Sequence, residues 1–378
     1  FRRAIRHMAE TVKPDIFHVH NEPDWIATET IRVLRDIKST AKVVWDIHDP
    51  ESARLNAVPA EELELIRNVD GIVYVSHEER EWMEWAHPSA VSKPNCTIFS
   101  CFPSRVLSEP YMKLAPYRIP NSIVFQGGIS EPNIMKKHNL RSETQSGRAV
   151  QYYNMRDLAN IVEAFCKEGF NFHLYGANTD PGKILPEAAM YSQFGAIAEP
   201  SANPFTIIPE LSKYEFGFVG FPMRAELFEM AMPNKLFDYL CAGTIPVVIN
   251  CKAAGEFVEK HKIGIWYKDD SWAEPGVLRR LQSLTDPEVY RNNIKKLLPT
   301  LLMDAQIHKL ENLYKEVLNG GTDKQQEDKG GCVNDAPSRG GDGCGVAGPV
   351  RAGAGNGIYG HRGDTPHRTM GVIGIPET

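Results

Sequence analysis

Short runs of apolar residues alternate along the chain with longer segments in which apolar residues recur at helical spacing. Such runs are typical of buried strands, and the periodic segments are typical of amphipathic helices. In the first third of the chain, helices are predicted at Asp24–Lys38 and Ala60–Val69. Strands are predicted there at Asp15–His20, Lys42–Asp46, Gly71–Ser76 and Cys96–Ser100.

A second series of the same kind follows a proline-containing stretch, Pro103–Asn121. Because strands that alternate with helices form parallel sheets covered on both faces, the pattern predicts an α/β fold with two Rossmann-like, doubly wound domains. We place the first at residues 1–108 and the second at residues 109–318, where helices from Pro287 to Leu318 close it. Strands of the second series are predicted at Ser122–Gln126, Asn171–Tyr175, Phe216–Gly220, Pro246–Asn250 and Gly264–Tyr267, and helices at Met155–Glu168, Pro233–Ala242 and Glu256–Lys260.

The composition changes after about residue 319. Sixteen of the thirty glycines lie in the last sixty residues, where Tyr359 is the single aromatic residue. Such a segment cannot bury enough apolar surface to offset the entropy of ordering its backbone. We therefore expect residues 319–378 to form a disordered tail.

Charge and cysteine content exclude several classes of protein. The net charge of −6, from 42 basic and 48 acidic residues, argues against nucleic-acid binding through bulk charge. No apolar run approaches the roughly 18 residues of a membrane span, so we expect no integral membrane segment. None of the seven cysteines forms a C-x-x-C pair, which disfavours a zinc site or a disulfide framework. Free thiols suit a reducing compartment, so we expect a cytoplasmic protein. We also expect that the protein needs neither a metal nor a cofactor.

Polar side chains and glycines accumulate where the predicted strands end. His20 ends the first strand, His48 follows the second, and Gly127 and Gly128 follow the first strand of the second series. Each has a purely structural alternative, such as a turn at the two glycines. Ligands in open parallel sheets collect at the carboxyl ends of the strands, so the coincidence predicts a ligand cleft at this edge.

The segment Pro233–Gly243 contains the residues that say most about a function. Its proline suits a helix start and its glycine a helix end. The free amides at Asn234 and Lys235, together with the lysine charge, predict an anion site. Asp238 lies about one turn further on, where it could accept hydrogen bonds from a ribose. Phosphate and ribose together indicate a nucleotide. The alternative is a solvated Lys235–Asp238 pair on a surface helix.

This segment resembles the donor-site helix of GT-B glycosyltransferases of the family 4 type. The family pattern is Pro-Asn-Lys, then Glu-Tyr, Ala-Gly and Pro-Val-Val, matched here by Pro233–Lys235, Asp238–Tyr239, Ala242–Gly243 and Pro246–Val248. The resemblance covers residues 10–318. Other segments agree in the same order: Pro14–His20, Trp45–Asp49, Asp70–Ser76, Val124–Ile129, Phe172–Gly176 and Leu211–Phe218.

The resemblance implies transfer of a sugar from a nucleotide diphosphate sugar (UDP- or GDP-linked) to an acceptor. The second domain would bind the donor, and the first would bind a glycan, lipid-linked or small-molecule acceptor, which leaves peripheral membrane contact open. Glycan or polysaccharide synthesis is the implied setting. Enzymes of this type work without metal and retain the anomeric configuration.

The resemblance also implies roles for residues of the second domain. Lys235, the backbone at Asn234 and an arginine would meet the charge of the leaving group. Asp238 would hold the ribose, and Gly127 and Gly128 would lie against the donor.

Three further side chains complete the expected site. Arg148 is the candidate second phosphate ligand, because it precedes the helix at Met155–Glu168. His20 matches the active-site histidine near the reacting sugar, and His48 is a weaker candidate for donor contact.

The sequence departs from the family pattern in three ways. A pair of glutamates is common in the family where Met230 and Asp238 stand here, and a Gly-Arg pair is usual where Gly127 and Gly128 stand. Only four strands precede the proline-containing stretch, so we expect the chain to begin inside the first domain. A truncated or non-catalytic nucleotide-binding homologue, or a GT-B-like sugar-nucleotide epimerase, therefore stays open as an alternative.

Overall fold

The computed structural model describes residues 1–20, 24–55, 57–99, 114–133, 156–177, 180–203, 206–283 and 286–320. All of these belong to one unit of structure, Phe1–Cys332. Arg148 and residues 321–378 of the predicted tail lie outside the described residues.

In the described part of the chain, four parallel strands form the first sheet in the order β1-β2-β3-β4. Their apolar side chains form one core with the helices packed against them, including Trp45 and Tyr74, which are fully buried. The strands are β1 Ile16–His20, β2 Lys42–Asp46, β3 Gly71–Tyr74 and β4 Asn95–Thr97, and the helices are α1 Arg2–Thr11, α2 Trp25–Asp36, α3 Glu51–Leu55, α4 Ala60–Asn68 and α5 His77–Ala86.

The second sheet has six parallel strands among the described residues, in the order β10-β9-β8-β5-β6-β7. The strands are β5 Ile119–Gly127, β6 Asn171–Gly176, β7 Ile197–Glu199, β8 Tyr214–Gly220, β9 Ile245–Ile249 and β10 Ile265–Tyr267. The helices are α6 Ala159–Lys167, α7 Pro186–Ala189, α8 Ile207–Leu211, α9 Glu226–Met230, α10 Asn234–Ala242, α11 Lys252–His261, α12 Pro287–Leu301 and α13 Met303–Leu318.

The strand order places a topological switch point in the second sheet. From β5 the chain continues outward through β6 and β7, and then returns to β8 on the other side of β5. Ligands in such sheets bind outside the carboxyl ends of the two strands at this point. Gln126 and Gly127 end β5, and Gly220 ends β8.

The two parallel sheets confirm the predicted α/β fold, and the switch point shows that the second sheet is doubly wound. The pattern missed strand β7, which is short and lies at the edge of the sheet, with Ile197 exposed. It also missed helix α1, none of whose residues is buried. Short or exposed elements bury little apolar surface, so their sequences carry a weak periodic signal.

The last helix, α13, lies on the first sheet rather than on the second. Leu313 and Val317 form an apolar cluster with Val44 of β2 and Val73 of β3. A Cβ atom at Gly71 would lie 2.7 Å from a methyl carbon of Val317, so the helix approaches β3 closely. The C-terminal end of the described chain thus completes the core of the first sheet.

Two findings bear on the predicted class of protein. No described helix is long and apolar enough to cross a membrane. The cysteines for which the structure describes a bonding state are free thiols; they are Cys96, Cys166, Cys241 and Cys251.

Candidate functional site

Helix α10 begins and ends as its sequence predicts. Pro233 immediately precedes it in an extended conformation (φ −63°, ψ 137°), and Gly243 ends it in the left-handed region (φ 64°). Side chains of its inner face, such as Leu236 and Leu240, are buried in the core of the second sheet. The exposed start of the helix, at Asn234, therefore presents its amides at the edge of the sheet.

Tyr239 fixes α10 against the switch point. Its hydroxyl donates to the carbonyl of Val124 (3.0 Å) and accepts from the backbone N–H of Gln126 (3.2 Å). A Cβ atom at Gly217 of β8 would lie 2.5 Å from the tyrosine ring. The absence of a side chain at residue 217 thus lets the ring lie flat on the sheet, and the helix start is held beside the end of β5.

Lys235 reaches from α10 across the end of β5. Its Nζ lies 5.0 Å from the ring centroid of Phe125 and 6.0 Å from that of Phe221. Its side-chain carbons pass close to Gly127, where an added Cβ would lie 3.7 Å from Cε of Lys235. The backbone at residue 127 has a φ of +142°, a conformation that favours glycine. Burial lowers the pKa of Lys235 to about 8. A partly buried cation of this kind gains from an anionic partner.

Arg156 brings a second cation to the same place. A Cβ atom at Gly128 would lie 2.7 Å from a terminal nitrogen of the Arg156 guanidinium, so this group occupies the space that a side chain at residue 128 would need. Its charge also contributes to lowering the pKa of Lys235, after the larger effect of burial. The cation that the resemblance places directly after Gly127 is thus supplied by a residue further along the chain.

Asp238 is bonded to Gln126 and lies within electrostatic reach of Lys235. The side-chain amide of Gln126, at the end of β5, donates a hydrogen bond to Oδ2 of Asp238. Burial raises the pKa of Asp238 to about 6. Lys235 and Asp238 do not form an ion pair among the described residues. This arrangement disfavours the alternative of a solvated pair on a surface helix.

A separate group of histidines lies at the end of the first sheet. His20 of β1 and Asp46 of β2 are register partners, and Asp46 is 2% exposed. Its Oδ2 lies 2.8 Å from Nδ1 of His20 and 3.2 Å from Nε2 of His18, and its Oδ1 lies 3.3 Å from Nε2 of His48. Tyr314 of α13 contacts Nδ1 of His18 at 2.5 Å. We call these five residues the histidine cluster.

The electrostatics of the histidine cluster favour an ionised Asp46 and a neutral His20. Burial acts to raise the pKa of Asp46, but the hydrogen bond from His18 and the nearby His48 and His20 outweigh it and lower the pKa to about 2. Burial lowers the pKa of His20, and the neighbouring His18 and His48 act in the same direction against the attraction of Asp46.

The geometry of the histidine cluster argues against a metal site. His18, His20 and Asp46 each offer a donor atom, and these atoms lie within 4.8 Å of one another. However, the rings of His18 and His20 are stacked, with centroids 4.7 Å apart and planes 10° from parallel. The lone pair of a ring nitrogen lies in the ring plane, so two stacked rings do not direct their lone pairs at one ion. The arrangement favours hydrogen bonding around a shared carboxylate.

A hydrogen bond joins the end of the first sheet to helix α9. The hydroxyl of Ser76, which follows β3, donates to the carbonyl of Met230 at the end of α9 (2.9 Å) and accepts from the N–H of Glu79 (3.0 Å). Met230 itself is buried, at 6% exposure. This residue stands where the resemblance places a glutamate, and its backbone instead joins the second sheet to the first.

The fold is shared with glycosyltransferases of known structure. No protein-family model matches the sequence, and no curated protein matches it significantly. The structure is similar to sucrose-phosphate synthase from Thermosynechococcus elongatus, with a TM-score of 0.54 and 12% identity over 84% of this chain and 77% of that one. It is similar to α,α-trehalose 6-phosphate synthase from Burkholderia multivorans, with a TM-score of 0.55 and 8% identity over 87% and 76%.

A third similar structure, from E. coli, is described as trehalose-6-phosphate bound with UDP-2-fluoro glucose. Its TM-score is 0.53, with 11% identity over 84% of this chain and 77% of that one. At such identities the likeness shows the fold, and the chain has the GT-B fold that the sequence predicts.

The structure brings the predicted site residues into two groups. Gly127, Gly128, Lys235 and Asp238 meet at the end of β5, beside the start of α10 at Asn234. His20 and His48 meet around Asp46, and Arg148 lies outside the described residues. The roles of all eight stay predictions.

Sequence reasoning missed Gln126, Arg156 and Asp46. Gln126 and Asp46 end predicted strands. Arg156 is the second residue of the predicted helix Met155–Glu168, but the helix of the structure begins later, at Ala159. Their positions at predicted strand and helix ends could have marked them as candidates. Their partners lie on other elements of the fold, so the sequence did not show which side chains they contact.

Proposed function

We propose that this protein is a glycosyltransferase that moves a sugar from a nucleotide diphosphate sugar to an acceptor. The observation that carries the proposal is the pair of cations, Lys235 and Arg156, beside the glycines that end β5 and the amides that begin α10. Two cations that repel each other at a helix start favour a ligand with two negative charges, such as a diphosphate.

The proposed chemistry is electrostatic. As the bond between the sugar and the diphosphate breaks, negative charge develops on the leaving phosphate. Lys235, Arg156 and the amides at Asn234 would stabilise that charge without a metal ion, because the donors are already in place before the reaction. Asp238, oriented by Gln126, would accept hydrogen bonds from the ribose hydroxyls.

The proposed acceptor side is the end of the first sheet. His20 would contact the reacting sugar from the histidine cluster, and His48 would lie behind it. We propose a cytoplasmic enzyme that acts with retention of configuration in glycan or polysaccharide synthesis. A UDP-sugar is the first donor to test, and sugar phosphates are the first small acceptors, because synthases of sucrose phosphate and trehalose phosphate share the fold.

Two measurements test the proposal. In a calorimetric titration of UDP with EDTA present, we expect binding, because the proposed phosphate ligands are cations of the chain. A product assay should then pair a panel of UDP- and GDP-sugars with sugar phosphate and glycan acceptors. Binding that required magnesium or manganese would contradict the site as described, and absence of UDP and GDP binding would contradict the proposal as a whole.

One observation favours a second candidate, a nucleotide-binding homologue without transferase activity. Met230 stands where the resemblance places a glutamate, and it is buried, with its carbonyl bonded to Ser76. A thioether there cannot hydrogen-bond the hydroxyls of a donor sugar as a glutamate would. UDP binding without product from any donor–acceptor pair would favour this candidate. Equal affinity for UDP and for UDP-sugars would support it further.

A further inference from the structure

The ammonium group of Lys235 lies over two aromatic rings at the candidate donor site. Its Nζ is 5.0 Å from the ring centroid of Phe125, near the end of β5, and 6.0 Å from that of Phe221, which follows β8. The face of an aromatic ring carries excess electron density and attracts a cation placed within about 6 Å of its centroid. The two distances therefore define an attractive contact with Phe125 and a weaker one with Phe221.

Both rings are held in place by contacts that do not involve the lysine. Phe125 is 4% exposed, and its ring packs against that of Phe218 with centroids 5.9 Å apart. The backbone N–H of Phe221 donates to the carbonyl of Ile249 (3.2 Å). The ring of Phe221 is stacked on that of Phe228, with centroids 4.0 Å apart and planes 11° from parallel. The lysine thus meets two ring faces whose positions are already fixed.

No carboxylate neutralises this lysine within the described part of the chain. Its Nζ forms neither an ion pair nor a hydrogen bond there. The acidic group that acts on it through space is Asp238, which accepts a hydrogen bond from Gln126 instead. Arg156 adds a like charge, and burial raises the pKa of the Cys251 thiol to about 12, so the thiol is neutral. An aromatic ring has no net charge, so it attracts the ammonium without cancelling its charge.

We propose that Phe125 and Phe221 are positioning residues that hold the ammonium of Lys235 over their ring faces and leave its positive charge for the ligand. The role toward a ligand rests on the proposed glycosyltransferase function, whereas the contact between the ammonium and the rings does not. A lysine that is already ordered loses less side-chain freedom when an anion binds. We therefore expect the rings to strengthen the binding of a diphosphate through Lys235.

The first test weakens the ring face and keeps the aromatic shape. Phe125 is replaced in the full chain by a ring-trifluorinated phenylalanine, whose fluorine atoms withdraw electron density from the face. The charged lysine then loses attraction, so the pKa of Lys235 should fall by about 0.5 in the ligand-free protein. Trace acetylation across a range of pH, followed by mass spectrometry of the peptide that carries Lys235, measures this pKa. An unchanged or raised pKa would overturn the proposal, because the ring would then only exclude water from the lysine.

The same fluorinated residue at Phe172 is the matched control. Phe172 is fully buried on the neighbouring strand β6, where its ring packs against that of Phe165 with centroids 5.7 Å apart. The control should leave the pKa of Lys235 unchanged, and an equal fall in both proteins would overturn the proposal as an effect of looser packing. Fluorination of Phe221 should lower the pKa by a smaller amount, since that ring is farther away. An unchanged pKa in this variant would refute the role of Phe221.

A titration of UDP separates this inference from the proposed function. It is carried out at pH 6.5, below the pKa of Lys235 of about 8, so that the ammonium is charged in every variant compared. Fluorination of Phe125 should weaken UDP binding by about two- to fivefold, and fluorination of Phe172 should not change it. A lower pKa of Lys235 with wild-type UDP affinity would refute the role toward the ligand. Absence of UDP binding in the wild type would refute the proposed function, while the pKa of Lys235 would still decide whether the rings hold the ammonium.

Discussion

The charged residues of the candidate donor site are partly buried, which disfavours their charged forms. Burial lowers the pKa of Lys235 to about 8 and raises that of Asp238 to about 6. A surface pair would show neither effect, because water would stabilise both charges. The residues thus favour a site that is completed electrostatically by a ligand.

Lys235→Ala should weaken UDP binding by about ten- to a hundredfold, because a charge-assisted hydrogen bond contributes about 1.5–3 kcal/mol. The measurement is calorimetric titration at two salt concentrations, and the difference should shrink at high salt if the site is partly open to water. Lys183→Ala is the matched control, since Lys183 forms an exposed i, i+3 pair with Asp180 at 2.8 Å. Equal UDP affinity in Lys235→Ala and the control would refute the nucleotide site.

Asp238→Asn should stabilise the ligand-free protein at pH 7.5 and have a clearly smaller effect at pH 4.5. The pKa of this carboxyl is raised to about 6 in the fold, from its usual value near 4. Between these values the folded state binds more protons than the unfolded state, so its stability falls as pH rises. An asparagine at this position does not ionise, so the variant does not lose this stability as the pH rises. Urea denaturation at the two pH values measures it, and a wild type at least as stable as the variant at pH 7.5 would contradict the pKa direction.

Arg118 fixes the end of helix α10 to the second sheet. Its guanidinium donates to the carbonyls of Ser212 (2.9 Å) and Tyr214 (2.7 Å) around the start of β8. It also donates to the carbonyls of Ala242 (3.3 Å) and Gly243 (2.9 Å), where α10 ends. One side chain therefore satisfies the last carbonyls of the helix and ties it to the sheet.

Arg118→Met should lower the free energy of unfolding by about 2–4 kcal/mol, because each hydrogen bond to a charged group contributes about 1.5–3 kcal/mol and buried carbonyls lose a donor. Chemical denaturation measures the change. Arg67→Met is the control: Arg67 lies on the exposed face of α4, where substitutions change stability by roughly 0.5 kcal/mol or less. A loss in Arg118→Met no larger than that of the control would show that α10 is held by packing alone.

The last described helix, α13, packs on the first sheet. Helix α13 covers the first sheet with Leu313 and Val317, against Val44 and Val73. Burial of two such side chains stabilises by about 3–6 kcal/mol. The residues after the helix are rich in glycine and carry a single aromatic side chain, Tyr359.

A stop codon after Gly320 should leave Tm within a few degrees of the full chain, because we expect the glycine-rich segment to add no core. A stop codon after Leu302 removes α13 as well, and should lower Tm by roughly 10 °C or abolish cooperative unfolding. Differential scanning calorimetry of the two truncated chains decides the point. Unfolding of the chain that ends at Gly320 would show that the tail prediction is wrong.

Local sequence patterns were enough to place most of the strands and several of the longer helices along the chain. Strand β2 was predicted at the residues where it occurs, Lys42–Asp46, and α10 was predicted to within one residue at its start. The spacing of apolar residues, a proline at a helix start and a glycine at a helix end all involve residues that are close in sequence. They can therefore be recognised before any tertiary contact is known. The class of fold followed from their alternation.

Which side chains contact one another in the candidate site depends on how the elements pack in the tertiary structure. Arg156 fills the space beside Gly128, and Asp46 receives His20 from a neighbouring strand and, through His18, a contact from Tyr314. These partners lie far apart in the chain, and their approach depends on strand register, on the switch point and on the return of α13 to the first sheet. Such contacts arise from packing between elements, and no local pattern in the sequence encodes them.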